Sequence, residues 1–274
     1  MAGAYSKIVS TVRQIDSIYT FIGGTRKQID TAWTFVNGER KQVFPSTEIY
    51  TEVFAQTTPG SYSTSLGYGK YKIVISGGGG SGSMVAARKG GNIHDLSQTN
   101  GTSGQEITFY IDVPFGATKA ITGKVGGGAA GSYAYAGSSA HTETAGTPGT
   151  GEHNGTSGSV VHVMTQDNDV PSENGYLAMA GGSGGGSTSF IVDSVLSNEA
   201  KGGNGGTAKC KYETGYVTPN ISVAGGTGGN GGTTTGAGAA GGASKYISGN
   251  VSGQYSSAGS DGYVHIYQSN IYPN

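Results

Sequence analysis

The glycine-rich stretch at residues 224–243 constrains the fold of this chain more than any other feature. From Gly225 to Thr233, two glycines are followed by one larger residue three times in succession, at Thr227, Asn230 and Thr233. This spacing matches neither the 3.6-residue period of an α-helix nor the alternation of a β-strand. It matches polyproline II, which has three residues per turn and no internal hydrogen bonds. Such a helix must find hydrogen-bond partners in neighbouring segments.

Further glycine runs supply candidate neighbours, at residues 77–82, 126–131, 181–186 and 202–206. Flexible Gly/Ser linkers are the alternative interpretation of any one run. The runs alternate with short segments rich in Val, Ile and Tyr, which favours a packed bundle of polyglycine II helices. Because glycine lacks a Cβ, backbones can approach closely in such a bundle. We therefore expect close backbone contacts at Gly205, Gly228 and Gly231.

The composition excludes several classes of protein. The chain has 53 glycines, 34% hydrophobic and 12% charged residues, so a conventional hydrophobic core would be thin. Its 17 tyrosines and low charge argue against a disordered chain. The net charge of −1 gives no electrostatic footprint for nucleic acid. No apolar run approaches the length of a transmembrane helix, and the N-terminus does not resemble a secretory signal, so we expect no membrane insertion.

The first 44 residues contain a repeat of 14 residues. Residues 15–28 align with residues 29–42, and a degenerate copy precedes them. Each unit predicts a β-hairpin, with strands at Tyr19–Ile22 and Trp33–Val36 that are followed by Gly-Gly or Asn-Gly turns. We expect a small antiparallel meander. Residues 1–45 are interpreted as an attachment module for other proteins, with a self-sufficient capping sheet as the alternative, and residues 46–274 as a second, glycine-rich domain.

The second domain predicts a mostly β fold with a polyglycine II helix bundle and little or no α-helix. Residues 190–200 are the one candidate for a short helix. The predicted strands are Glu48–Phe54, Lys70–Ile75, Glu106–Val113, Lys119–Val125, Ser159–Met164, Tyr176–Ala180 and Asp261–Tyr267.

Polar stretches with tyrosines connect these elements, at residues 132–136, 141–155, 166–174, 209–219 and 245–257. We expect them to be loops that collect at the two ends of the bundle, where binding loops of rigid scaffolds cluster. The polar neighbours Ser132, Lys211, Glu213 and Ser256 favour exposure of these tyrosines, although packing over the bundle is the alternative for each. The candidate binding residues are Tyr133, Tyr135, His141, Tyr212, Tyr216, Tyr246 and Tyr255.

Searches for catalytic and metal-binding motifs give no convincing candidate. Residues 226–231 satisfy G-x-G-x-x-G, but the sequence that follows cannot build the helix that a dinucleotide site requires. Cys210 lies between two lysines that could lower its pKa, yet it has no convincing histidine partner. Asp167 and Asp169 could bind calcium, but a solvated acidic loop is favoured because EF-hand spacing is missing. The sequence therefore predicts neither an enzyme nor a cofactor.

His162 and His265 lie inside strand-like segments and are interpreted as sheet residues and not as metal ligands, and all five histidines are scattered without HExxH or similar spacing. They are His94, His141, His153, His162 and His265.

Strands that run into glycine runs, aromatic-containing polar loops and a closing DGYVHI strand resemble glycine-rich proteins of bacteriophage tails. The pattern is similar to the receptor-binding adhesins at the tips of some T-even long tail fibres, whose polyglycine II sandwich carries host-recognition loops. The resemblance covers about residues 49–267 and is compositional and periodic. The repeat YTFIGGTRKQI and WTFVNGERKQVF is similar to short modules in tail and prophage proteins, and it departs from the tip adhesins.

The resemblance implies a virion protein of the phage tail that binds a bacterial surface protein or polysaccharide and needs no active site. It implies contacts with other tail proteins through residues 1–45 and leaves open a homo-oligomer. The main alternative is a structural virion component of a baseplate, fibre or head. An antifreeze-like bundle and a polysaccharide depolymerase are the remaining alternatives.

Overall fold

The computed structural model describes much of the chain, and every regular element in it is a β-strand. The mostly β fold is therefore confirmed. None of the described residues forms a helix of the length and hydropathy that crossing a bilayer requires. The described residues are 18–22, 25–29, 32–36, 39–44, 48–88, 92–137, 140–166, 174–213, 218–229, 236–248 and 253–271.

The strands of the N-terminal repeat are β1 (Ile18–Ile22), β2 (Thr25–Ile29), β3 (Ala32–Val36) and β4 (Glu39–Phe44). β1 pairs with β2 and β3 with β4, both antiparallel, so the two predicted hairpins are confirmed. They form two separate two-stranded sheets, and the expected continuous meander is wrong for the described residues. The degenerate first copy lies outside the described residues.

Nine strands form two sheets that pack face to face at one end of the domain, here called the sandwich end. Their bounds are β5 (Tyr50–Gln56), β6 (Gly60–Leu66), β7 (Gly69–Ser76), β10 (Gln105–Val113), β11 (Lys119–Val125), β16 (Thr188–Val192), β17 (Val195–Ala200), β20 (Gly236–Ala237) and β23 (Tyr263–Ser269). One sheet has the order β20-β10-β7-β23-β5 and the other β17-β16-β11-β6.

The sandwich end contains the largest hydrophobic core cluster. Ile73, Ile75, Ile121, Phe190 and Ile266 are fully buried there. Along β7 buried and half-buried residues alternate, as expected for a strand with one face on a core. This end buries the large side chains that the composition offers.

Residues 190–200 form a hairpin and not the short helix that was expected. The turn between β16 and β17 has positive φ at both central residues, 48° for Asp193 and 69° for Ser194. Two successive positive φ values are typical of the tight turn that matches strand twist. The side chain of Asp193 accepts a hydrogen bond from the Ala120 amide at 2.9 Å and pairs with Lys119 at 2.6 Å. Tertiary pairing thus decides the structure of this segment.

Ten glycine-rich segments extend between the sandwich end and the opposite end in the described part of the chain. They hydrogen-bond mainly to one another. We group them by their hydrogen bonds into three layers. The middle layer contains residues 77–83, 153–159, 181–187 and 238–244; outer layer one contains 99–105, 201–207 and 224–229; outer layer two contains 126–132, 146–151 and 256–262.

Residues 77–82 show how the segments connect. Successive amides donate to three different neighbours, and the choice of neighbour repeats every three residues. Gly77 and Gly80 donate to Gln105 and Thr102, Gly78 and Ser81 to Gly186 and Ser183, and Gly79 and Gly82 to Ser260 and Ser257. Carbonyls of the same segment accept from Gly203, Gly206, Ala129 and Gly242. Residues 77–82 are therefore bonded to six neighbours, with the three-residue period read from the sequence.

At many of their glycines, the segments lie too close to a neighbouring backbone to leave room for a side chain. A Cβ on Gly205 would lie 2.0 Å from the Gly182 carbonyl oxygen, and a Cβ on Gly228 would lie 2.0 Å from that of Gly202. The predicted close contacts at Gly205 and Gly228 are confirmed. Gly231 and Thr233 lie outside the described residues.

Buried serines link the layers, which corrects the expectation that Ser132 and Ser256 mark exposed loops. Ser132 is fully buried and its hydroxyl donates to the Gly181 carbonyl at 2.9 Å. Ser256 donates to the Gly82 carbonyl at 2.7 Å and accepts from the Ser132 amide at 2.9 Å. A hydroxyl in a glycine segment thus adds a side-chain hydrogen bond to the backbone hydrogen bonds that already join neighbouring segments.

On the outer face of outer layer one, where no further glycine layer of the described residues packs, exposed polar side chains bond the backbone. The Asn204 amide donates to Thr102 Oγ1 at 2.7 Å, and the Thr207 amide donates to Thr99 Oγ1 at 2.8 Å. The Gly228 amide donates to Asn204 Oδ1 at 2.8 Å. These side chains satisfy backbone donors that have no further segment to bond.

At the opposite end, here called the hairpin end, the three layers continue as three stacked sheets. The strands there are β8 (Met84–Ala87), β9 (Asn92–Gln98), β12 (Tyr133–Ala136), β13 (His141–Thr144), β14 (Val160–Gln166), β15 (Asn174–Ala180), β18 (Ala208–Glu213), β19 (Asn220–Val223), β21 (Lys245–Ser248) and β22 (Gln254–Tyr255). The sheet orders are β14-β15-β8-β21, β19-β18-β9 and β13-β12-β22.

Candidate functional site

Five connections link strands at the hairpin end, and most of their residues lie outside the described part of the chain. Each one joins the strand that follows an outgoing glycine segment to the strand that precedes a returning one. The connections are β8 to β9, β12 to β13, β14 to β15, β18 to β19 and β21 to β22. Three of the polar stretches, at residues 132–136, 209–219 and 245–257, thus have their described residues mainly at the hairpin end, where the sequence had suggested both ends.

The described candidate tyrosines lie on strands of the hairpin end and not in loops. Tyr133 and Tyr255 are direct partners in the pairing of β12 with β22, and their ring centroids are 4.9 Å apart. Tyr255 is 65% exposed and Tyr246, on the edge strand β21, is 41% exposed. Tyr135 is half-buried. The Tyr133–Tyr255 pair thus offers an aromatic surface on the outside of the molecule.

Tyr212 is the candidate that the structure removes from this surface. Its side chain is fully buried in a core cluster with Val85, Leu177 and Met179, between the middle sheet and the sheet of β18. Buried and exposed residues alternate along β18, so Tyr212 faces inward although its neighbour Lys211 is exposed. The prediction that Tyr212 is exposed rested on such polar neighbours. Tyr216 lies outside the described residues.

Cys210 lies in the same core cluster and is buried against Met179, with the two sulfur atoms 3.8 Å apart. Burial raises the pKa of the Cys210 thiol, which is opposite to the lowering expected from its lysine neighbours. The thiol is therefore kept neutral. Asp167 and Asp169 lie outside the described residues, so the calcium hypothesis stays untested.

His141 lies beside two residues that the sequence analysis had not grouped with it. Its imidazole ring stacks on that of His162, with centroids 3.8 Å apart and planes inclined by 27°. Glu143 lies beside both rings, with Oε1 2.8 Å from His162 Nδ1 and Oε2 3.8 Å from His141 Nε2. Glu143 could have been found as the second residue after His141 on the same strand face, but no sequence signal links this pair to His162.

The exposed side of β14 continues this surface. Val160 and Met164 are 47% and 52% exposed, and they flank His162 at the alternate positions of the strand. The hairpin end therefore exposes aromatic, aliphatic and imidazole groups on adjoining strands.

The sandwich end shows where the N-terminal repeat joins the domain. Tyr50 pairs with Ser269, and the carbonyl of Ile49 accepts from Asn270, at the end of β23 that is farthest from the bundle. Residue 48 consequently lies at the end of the domain opposite the hairpin end. No protein-family model matches this chain, and no curated protein is significantly similar to it in sequence.

Proposed function

We propose that this chain is a receptor-binding protein of a bacteriophage tail, an adhesin that recognises a bacterial surface protein or polysaccharide. The observation that carries the proposal is the opposition of two ends. Residue 48, which follows the N-terminal repeat in the chain, lies at the sandwich end, and five strand connections belong to the other end. A protein that is held at one end and binds at the other requires this arrangement.

The glycine segments suit a rigid support between the two ends. We infer that they are polyglycine II helices, because their hydrogen bonds repeat every three residues and each segment bonds several neighbours. Their side chains offer little contact area, so binding energy must come from the hairpin end. A rigid scaffold lets hairpin residues vary without changes in the bundle that carries them.

The proposed recognition surface centres on Tyr133 and Tyr255. Aromatic rings supply large contact areas, and truncating a tyrosine at the centre of an interface costs more than about 1 kcal/mol. Tyr246, Tyr135 and His141 belong to the same end, while the buried Tyr212 supports the fold. Residues 1–45 would attach the protein to other tail proteins, and the virion would be its place of action.

The proposal is tested by binding of the labelled full-length protein to whole cells of a panel of bacterial strains, measured by flow cytometry. The Tyr133→Ser/Tyr255→Ser double variant should lose at least about four-fifths of its binding at subsaturating concentration, since 1 kcal/mol lowers an affinity about fivefold. The melting temperature should change little, because Tyr255 is largely exposed.

Tyr110→Ser is the matched control. Tyr110 is 63% exposed, contacts Tyr50 with centroids 6.3 Å apart, and lies at the sandwich end. It should bind cells as the unmodified protein does. The proposal would be contradicted if the unmodified protein bound no strain, or if the double variant bound as well as the unmodified protein. Either result would favour a structural role in the virion.

A further inference from the structure

We infer that His141, Glu143 and His162 form a binding site for one divalent transition-metal ion of the zinc class. The inference does not rest on the receptor-binding function. It starts from a cluster of three side chains whose candidate ligand atoms all lie within 4.8 Å of one another. Two imidazoles and one carboxylate are a ligand set that zinc uses in proteins.

The two strands that carry the ligands belong to different sheets. β13, with His141 and Glu143, is the edge strand of the outer sheet, and β14, with His162, is the edge strand of the middle sheet. An ion held by all three residues would join the two sheet edges without requiring a backbone hydrogen bond between them. The site is positioned by regular strands, which hold ligands more rigidly than loops do.

The unpartnered atoms of the cluster indicate a ligand. Glu143 is only 11% exposed, yet its Oε2 is buried and has no hydrogen-bond partner. His141 Nδ1 is buried and unpartnered as well. An uncompensated carboxylate oxygen is costly to bury, and its nearest charged neighbour, His141 Nε2, is 3.8 Å away, so a bound cation would supply the compensation that no hydrogen bond provides. Hydrogen bonding to His162 alone satisfies only Oε1 of Glu143.

The surroundings also fit a metal site that is open on one side. The His141 ring packs against the buried Tyr176, with centroids 5.3 Å apart, which fixes the inner side of the cluster. His162 is 50% exposed, so solvent reaches the outer side. Metal–ligand distances of about 2.0–2.2 Å require the three side chains to converge by small rotations from their present spacing. Three protein ligands leave a fourth position for water or a group of a binding partner.

The other histidine–carboxylate pairs provide the contrast. His94 with Glu213, His153 with Glu199 and His265 with Glu52 are joined at 2.9, 2.6 and 2.6 Å. None of them belongs to a group of three candidate ligands among the described residues. They are ion pairs with one imidazole each, and they should not hold a transition metal comparably.

The test is calorimetric titration of the chelator-treated, full-length protein with Zn²⁺. The expected result is one ion per chain with a dissociation constant in the micromolar range or tighter. His162→Asn should weaken binding by at least about tenfold, since even outer-sphere partners of metal ligands have effects of that size. His94→Asn, which removes a half-exposed histidine of a simple pair at the same end, should bind as the unmodified protein does.

Two further measurements keep the test decisive. Bound Co²⁺ should give visible absorption with the intensity of a tetrahedral site, and His162→Asn should abolish it. Excess Ca²⁺ should not displace Zn²⁺, because Ca²⁺ prefers oxygen ligands. Circular dichroism confirms that His162→Asn is folded, and Glu143→Gln serves as a second variant if it is not. No stoichiometric Zn²⁺ binding, or equal affinity of the folded variants, would overturn the inference.

Discussion

The same ten glycine segments connect the two ends of the domain, but the sheets at the two ends pack differently. At the sandwich end the segments regroup into two sheets that enclose Phe190 and several fully buried isoleucines. At the hairpin end the three layers stay separate, and one of the two contacts between them is filled largely by the alanines Ala86, Ala134 and Ala178. Small side chains allow sheets to stack as closely as the glycine layers beneath them.

This difference separates the main source of stability from the surface proposed for recognition. The sandwich end buries its large side chains in one thick core, which is the conventional source of folding free energy. The hairpin end has thinner cores and exposes the Tyr133–Tyr255 pair and the cluster of His141, Glu143 and His162. Between them the bundle gains its cohesion from backbone hydrogen bonds, so its tolerance of side chains is the lowest in the molecule.

The largest loss of stability is expected in the bundle, for Gly185→Ala. A Cβ there would lie 2.2 Å from the Gly78 carbonyl oxygen, and a backbone atom cannot swing away. Separating these segments would break several hydrogen bonds, each worth about 1–3 kcal/mol when a buried group is left unpaired. Gly67→Ala, where nothing lies within 4 Å, is the control and should change little. Thermal unfolding measures both, and equal melting temperatures would contradict the tight packing of the bundle.

The second-largest effect is expected in the sandwich core, for Phe190→Ala. Phe190 is fully buried and its ring meets that of Phe109 edge-on at 5.1 Å. The change should lower the free energy of unfolding by about 3–5 kcal/mol. Phe115 is 82% exposed in a turn of the same end, and Phe115→Ala should change the free energy of unfolding by no more than about 0.5 kcal/mol. Denaturant unfolding compares the two, and a small loss at Phe190 would mean that this core does not supply the stability.

The smallest effect is a pH dependence at the edge of the bundle. The hydrogen bond and charge of the buried Glu199 raise the pKa of His153 above its ordinary value. This pair therefore stabilises the fold fully below about pH 6.5, and its contribution is lost as the pH rises through the raised pKa of His153. His153→Asn should lower the melting temperature at pH 6 more than at pH 9. A difference that is constant over this range would show that the pair does not contribute.

Much of the fold could be read from the sequence because its signals are local. The strands at residues 70–75, 106–113 and 119–125 were predicted within one or two residues of their ends, and the two N-terminal hairpins follow from their turn residues. The glycine spacing predicted the close contacts at Gly205 and Gly228. Residues 190–200 were predicted incorrectly, since pairing with β11 and a turn at Asp193–Ser194 override any helical preference.

The candidate site was less predictable, because burial depends on the layers above and below each strand. Polar neighbours suggested exposure for Tyr212 and Ser132, yet Tyr212 faces a core and Ser132 bonds a neighbouring backbone inside the bundle. In a bundle with little side-chain volume, a serine next to a glycine is a crosslink as readily as a surface residue.

The sequence by itself indicated a three-residue period for the glycine segments, which the backbone hydrogen bonds of residues 77–82 follow. It also determined that strands follow the glycine runs, through their Val, Ile and Tyr content. Only the tertiary structure decided which segments are neighbours, which strands share the hairpin end, and that His162 meets His141 and Glu143. Glycine segments carry no side chains to encode their partners, so the order of the layers emerges only when all of the backbone hydrogen bonds are satisfied together.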